Sequence, residues 1–250
     1  MSDNIEQDTN VTDHAMLVVW GQYAHCLGLP QAFADVPISQ KTVEHTPQSK
    51  VLEFLVAHLA GLEYLKDISH SAHPLDQDQA VARAWGQSSW ADSSGVSRTL
   101  KCLTEAEVAQ YAAILEQATQ VLLDQEVQRA LAQGVIELDG DFTPRRVSNG
   151  SQTYPGAEYG YMSGRLQLGF QVSVISLRSP TYGCLELSAR QHSGKMVSVT
   201  QAEGSALEAE RRLGRRLLRR TDLLVQRLER MEPEMGRRQQ KVAEAQQNLR

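Results

Sequence analysis

The sequence predicts an α+β fold: an N-terminal helical domain, then a few strands, then a long charged C-terminal helix. Three observations predict it. Apolar residues recur at helical spacing through most of the chain up to Gly134. After Gly134 the texture changes to short β-prone runs separated by turn residues. From about Ser205 onward, Arg, Glu and Gln dominate and large apolar residues fall seven apart. The 250 residues suffice for one large domain or two small ones, and a 41% hydrophobic share supports a real core. The expected segments are an N-terminal helix and connector (1–48), a helical domain (49–134), a three-strand region (135–200) and a basic coiled-coil-like helix (201–250).

In the first segment, Met16, Leu17, Val18, Val19 and Trp20 predict a helix over 13–27, ended by Gly28 and Pro30. The stretch from Pro30 to Pro47 reads as a connector with a short turn of helix. The clearest helix covers 49–65, where Val51, Leu52, Leu55, His58, Leu59, Leu62 and Leu65 share one face and Ser49 is the candidate N-cap. On that stripe His58 reads as a satisfied core histidine rather than a ligand. Asp67, His70 and His73 are metal-compatible neighbours, but no Cys or second acidic residue completes a set. Residues 76–85 predict a further short helix.

Residues 90–100 resemble the start of a helix-turn-helix recognition helix, with Ser97, Arg98 and Thr99 toward a groove and Val96 and Leu100 toward the core. Any capped short helix shares that pattern. An amphipathic helix follows over 104–123, opened by a capping box from Thr104 to Glu107. Another spans 124–133, closed by Gly134.

The β region opens with Val135-Ile136-Glu137-Leu138, which runs into Asp139-Gly140-Asp141. Two carboxylates at the mouth of a strand suit a hard divalent cation. Asp and Gly also favour plain turns, and the residues themselves leave both readings open. A loop over 145–157, a strand over 166–177, a turn at 180–183 and a strand over 184–188 complete an antiparallel three-strand meander.

In the last segment Leu217, Leu224 and Met231 interleave with Leu228, Met235 and Val242 as a heptad seam, interrupted by Pro233. The net charge of −5 does not advertise nucleic-acid binding, yet Arg211, Arg212, Arg215, Arg216, Arg219 and Arg220 crowd one stretch. A basic arm of this kind can touch phosphates without sequence preference. Cys26, Cys102 and Cys184 form no paired motif, which fits a reducing cytoplasm. The acidic start of the chain lacks a signal-peptide core, and no run reaches the roughly 18 apolar residues of a membrane span.

The order of these features resembles the DDE transposases of bacterial insertion sequences, in the branch whose first strand carries Leu-Asp-x-Asp-x-Thr. Leu138-Asp139-Gly140-Asp141-Phe142-Thr143 matches that motif. Leu59 to Ile68 and Ser93 to Leu100 resemble two helical segments of the family upstream. Downstream, Tyr159-Gly160-Tyr161 with Leu168-Gly169-Phe170-Gln171 resembles the second strand, and His192-Ser193-Gly194-Lys195 the loop after the third. The likeness spans roughly 49–196.

The resemblance implies an RNase H-like catalytic domain and metal-dependent phosphoryl transfer, with two Mg²⁺ ions activating the nucleophile and steadying the leaving oxygen. Asp139 takes the place of the first catalytic carboxylate, and Asp139 with Asp141 would face the metal. Ser97, Arg98, Arg145 and Arg146 become the candidate contacts to the DNA of the element ends, and the C-terminal helix a candidate homo-oligomer contact. The family's second Asp and its Glu have no counterpart: Asp222, Glu229, Glu232 and Glu234 read as solvated helix residues. The expectation is therefore an N-terminal portion of a transposase that does not cleave or join DNA alone. The alternatives are a non-catalytic DNA-binding or oligomerising fragment that modulates a full-length copy, and a helical adaptor with purely structural strands.

Overall fold

Local capping decides where the helices of this chain begin and stop. The computed structural model describes residues 11–41, 44–148, 154–196 and 198–214. These residues form α1 (Ala15–Cys26), α2 (Leu29–Ala34), α3 (Pro47–Leu59), α4 (Asp67–His70), α5 (Gln79–Ala84), α6 (Ser93–Cys102) and α7 (Glu105–Ala132). Strands β1 (Leu138–Arg146), β2 (Glu158–Met162), β3 (Arg165–Ser179) and β4 (Gly183–Ser193) follow, and then α8 (Ser198–Leu213). The fold is mixed helix and strand, with a helical region first and a small antiparallel sheet after it. Among the described residues no helix is long and apolar enough to cross a membrane. The predicted heptad seam and its Pro233 interruption lie outside the described residues.

The chain divides into two compact units, Met1–Val121 and Leu122–Arg250. In the first unit, α3 starts at Pro47, two residues earlier than the predicted 49. Thr46 rather than Ser49 is the N-cap, its Oγ1 accepting from the Ser49 amide at 3.1 Å, with Pro47 in the first turn. The helix stops at Leu59 rather than Leu65. Gly61 takes a φ of +76°, the Leu62 amide donates to the Ala57 carbonyl and the Gly61 amide to the His58 carbonyl, which closes the C-terminus. Leu62 and Leu65 still pack on the core, so the apolar period outlasts the helix. His58 lies on the surface, not in the core; it bonds the Phe54 carbonyl and stands edge-on to the Phe54 ring.

The core of this unit joins Leu17, Phe33, Leu52, Val56, Ile68, Leu75, Val81, Trp85, Val96 and Tyr111. Two features fasten α1 to α5 across it. The Trp85 indole donates to the Leu17 carbonyl at 2.9 Å, and a Cβ on Gly21 would stand 2.5 Å from the Ala84 carbonyl oxygen. Only glycine allows that approach. The short turn of helix expected after Pro30 is the six-residue α2, which begins one residue earlier and buries Leu29, Pro30 and Phe33. The capping box of α7 forms as expected, with the Thr104 amide donating to Glu107 Oε2 at 2.6 Å and the Glu107 amide to Thr104 Oγ1 at 3.3 Å. No break occurs at Asp124: the two predicted helices are one, because Leu123 and Val127 carry the apolar face onward.

In the second unit β3 is the spine of the sheet. β1 runs antiparallel along one flank, from Leu138 opposite Leu177 to Arg146 opposite Gly169. The other flank is shared end to end by β2, opposite Arg165–Gly169, and β4, opposite Phe170–Ser179. The predicted meander is present as β1, β3 and β4, and β2 is an added fourth strand. Ser163 and Gly164, both at positive φ, make the tight two-residue turn that folds β2 back onto β3. β2 fits beside the end of β4 because Gly160 meets the Gly194 carbonyl so closely that any Cβ would overlap it. Leu177 and Leu187 on one sheet face pack with Leu123, Val127, Ala209 and Leu213 of α7 and α8.

Candidate functional site

The acidic pair sits inside a strand rather than beyond the end of one. Gly134, at φ +86°, and Val135 belong to the stop of α7, with the Gly134 amide on the Leu131 carbonyl and the Val135 amide on that of Ala130. Val135 is thereby diverted from the sheet, and β1 begins at Leu138, running on through both carboxylates to Arg146.

Side chains alternate along β1, so Asp139, Asp141, Thr143 and Arg145 share one face, while Leu138, Phe142 and Arg146 take the other. The second face carries Leu138 into the α7–α8 core. The first face is open: Asp139, Asp141 and Arg145 are exposed, and Phe170, Val172 and Val174 of β3 lie half-buried beside them. Directly opposed residues point the same way. Asp139 faces Ser176, and Ser176 faces Glu186 on β4, which adds a third exposed carboxylate two strands away. Glu186 was not singled out in the sequence. Its place depends on the register shift at Ile175/Ser176, which leaves Leu187 and Ser188 both buried.

Spacing limits what these carboxylates can hold. Asp139 and Asp141 lie roughly 7 Å apart along the strand, and Glu186 about 10 Å from Asp139 across two strand intervals. Among the described residues no group of three or more His, Cys, Asp or Glu side chains is placed to hold a metal ion. Asp139 and Asp141 can share a hydrated cation through water, which suits Mg²⁺ better than direct caging. They do not fit a two-ion centre, which needs carboxylates converging from separate elements. The upstream trio is also dispersed: Asp67 accepts from the Tyr64 amide at 3.1 Å, and His73 pairs with Asp13 at 2.7 Å.

The four candidate DNA contacts fall in both units. Arg145 and Arg146 are both exposed at the far end of β1 and point to opposite faces of the sheet. Ser97 and Arg98 lie on α6, whose N-cap Asp92 accepts from the Gly95 amide at 2.6 Å. Arg98 is exposed and Ser97 half-buried. Thr99 does not face outward as expected. It is fully buried and donates to Gln40 Oε1 at 2.8 Å, so the outward stripe of α6 is Ser94, Arg98 and Lys101. Residues 85–92 separate α5 from α6, longer than the three- or four-residue turn of a compact helix-turn-helix.

On the covered face of the sheet a polar tie joins β3, β4 and α8. Ser173 Oγ lies 2.9 Å from His192 Nε2 and 3.5 Å from Ser205 Oγ, with the Phe142 ring stacked on the imidazole. Burial, and then the nearby Arg190, hold His192 below the usual histidine range. His192 belongs to β4 itself rather than to a loop after it. No family model matches the chain, and no curated protein or solved structure matches it.

Proposed function

We propose that this chain acts on DNA as a transposase-type protein of the DDE kind. In this reading the sheet is the opening part of an RNase H-like domain and Asp139 is its first catalytic carboxylate. The observation that carries the reading is the antiparallel set β1, β3 and β4, with Asp139 and Asp141 on its solvent-open face, after a separately packed helical unit. The element ends would be held by Ser97 and Arg98 on α6 and by Arg145 and Arg146 on β1. Exposed arginines suit phosphates, and such contacts give binding that weakens steeply with salt. Action on element-end DNA goes with the cytoplasmic location expected from the unpaired cysteines. The heptad pattern of Leu217, Leu224 and Met231 with Leu228, Met235 and Val242, which lies outside the described residues, belongs to the same reading as an expected means of pairing copies.

Mg²⁺ would meet Asp139 and Asp141, but with no third carboxylate converging among the described residues, no cleavage step is assigned to the chain alone. That shortfall favours a second reading, a non-catalytic DNA-binding protein that modulates a complete copy. Gel-shift titration with element-end DNA at low salt tests both readings, and failure to bind rejects both. Mg²⁺-dependent nicking of the same DNA that is lost in Asp139→Asn would favour the first reading over the second. Neither reading requires nicking from this chain alone, since no third carboxylate converges among the described residues. Nicking that survives Asp139→Asn would refute the site assignment.

A further inference from the structure

The inner face of α1 is fixed by Leu17, Gly21 and Ala24, which are buried against α2 and α5. Its outer face is apolar and open: Met16 is 65% exposed, Val19 58%, Trp20 46%, Tyr23 64% and Leu27, just past the helix, 41%. Solvent-facing helix positions are ordinarily polar. Here none of the twelve residues of α1 is Asp, Glu, Lys or Arg, although such residues make up 22% of the chain. The apolar patch is roughly 500 Å², at the size where exposed patches on soluble proteins tend to be functional.

We propose that this stripe is a homodimer contact, in which α1 packs antiparallel on α1 of a second copy. Self-complementarity points to a second copy. Met16, Trp20, Tyr23 and Leu27 are spaced by four, three and four residues, a pattern that reads the same in both directions. A twofold axis at the middle of the helix therefore sets Met16 against Leu27 and Trp20 against Tyr23, each pair occurring twice. The two Trp–Tyr pairs supply the aromatic contacts that anchor interfaces. The lack of charge on the helix means neither copy meets a like charge. The two faces together would bury about 1,000 Å², the lower edge of specific interfaces, so the dimer is a reversible one that forms with concentration. It depends on neither the DNA reading nor the heptad stretch.

Sedimentation velocity of the full chain over about a hundredfold concentration range tests it. The expected result is a monomer–dimer equilibrium in which Trp20→Glu raises the dissociation constant by at least about tenfold, as loss of a central aromatic anchor does. Tyr23→Glu, at a more exposed position that places less demand on folding, is expected to act the same way. Met16→Glu is expected to weaken the dimer, and adding Leu27→Lys in the same chain to restore it, because the twofold brings those two positions together. A dimer that ignores Trp20→Glu and Tyr23→Glu would overturn the proposal and place association elsewhere, such as the heptad stretch. A chain that stays monomeric throughout would overturn it too.

Discussion

Two glutamates, one in each unit, have no exposed surface, and their carboxyls shift in opposite directions. Glu53 on α3, in the helical unit, is wholly buried. Its Oε2 accepts one hydrogen bond, from the Ala91 amide at 2.9 Å, and Oε1 has no partner. Burial, with Asp76 and Asp92 adding negative charge nearby, pushes this carboxyl up to about 8. Glu126 on α7, in the sheet unit, is equally enclosed, but Ser179 donates to it at 2.6 Å and Thr181 at 3.2 Å, and Arg129 pairs with it. The Ser179 hydrogen bond leads in holding Glu126 below the usual carboxylate range, with Arg129 and Thr181 adding to it. Burial alone therefore does not set the charge. The number of donors aimed at the carboxyl does.

The contrast reflects how the two units are built. The helical unit is assembled around large apolar side chains such as Phe33, Trp85 and Leu52, and Glu53 among them finds a single donor. The sheet unit has a smaller apolar cluster and buries Gln171, Ser173, Ser179, Ser188 and Ser205 beside it. There Glu126 organises the β3–β4 turn: Ser179 donates to its carboxylate and accepts from the Thr181 and Tyr182 amides.

The largest expected effect is at Glu53. With a folded value near 8 against 4.5 for the free side chain, the folded state keeps a proton that the unfolded state has lost. The stability it contributes is complete below 4.5 and falls as pH rises toward 8. At about 1.4 kcal/mol per pKa unit, the swing is on the order of a few kcal/mol. Glu53→Gln keeps an acceptor for the Ala91 amide and removes the titration. Denaturant melts from pH 5 to 9 (roughly the span between the two protonation states) should show a flattened profile and a gain in stability at the alkaline end. An unchanged slope would mean that Glu53 is ionised in the folded protein and that the contrast with Glu126 is void.

Glu126→Gln is expected to act in the opposite sense. A depressed carboxylate stabilises the fold above its unfolded value, and the benefit disappears as pH falls through the folded value. The variant should melt below the parent at neutral pH, and the difference should close on acidification. Hydrogen exchange at the Thr181 and Tyr182 amides should quicken, because an amide offers one acceptor oxygen where the carboxylate offered two to Ser179, Thr181 and Arg129. Parent-like exchange there would show that the turn stands without the carboxylate.

Neither glutamate was legible in the sequence, because each is defined by a partner far along the chain. Glu53 meets Ala91, and Glu126 meets Ser179. What is local was legible: the Thr104–Glu107 capping box and the glycine stop after α7 both form as expected. Periodicity misled where packing outlasts helix, as at Leu62 and Leu65, and where one face was assigned by residue type, as at Thr99. The Asp139–Asp141 pair is visible in the sequence as two carboxylates flanking a glycine. Its face, its place within β1 and its neighbour Glu186 follow from strand register, which depends on a bulge and on the β2 hairpin rather than on the motif itself.

The smallest expected effect connects a surface cap to the buried carboxyl. Asp92 accepts from the Gly95 amide at 2.6 Å and from Ser94 Oγ at 2.9 Å, and these hydrogen bonds hold it below the usual range. Removing an N-cap of this kind with Asp92→Ala costs about 1 kcal/mol. Asp92 is also one of the negative groups that raise Glu53, so its loss should lower the Glu53 value as well. Asp92→Asn separates the two roles, since asparagine still caps but carries no charge. If both roles hold, the Asn variant keeps most of the stability while the pH at which Glu53 titrates moves down. Carbon-13 NMR of the labelled glutamate carboxyls would read that shift directly. A Glu53 titration identical in parent and Asn variant would show that desolvation without help from Asp92 keeps this carboxyl neutral.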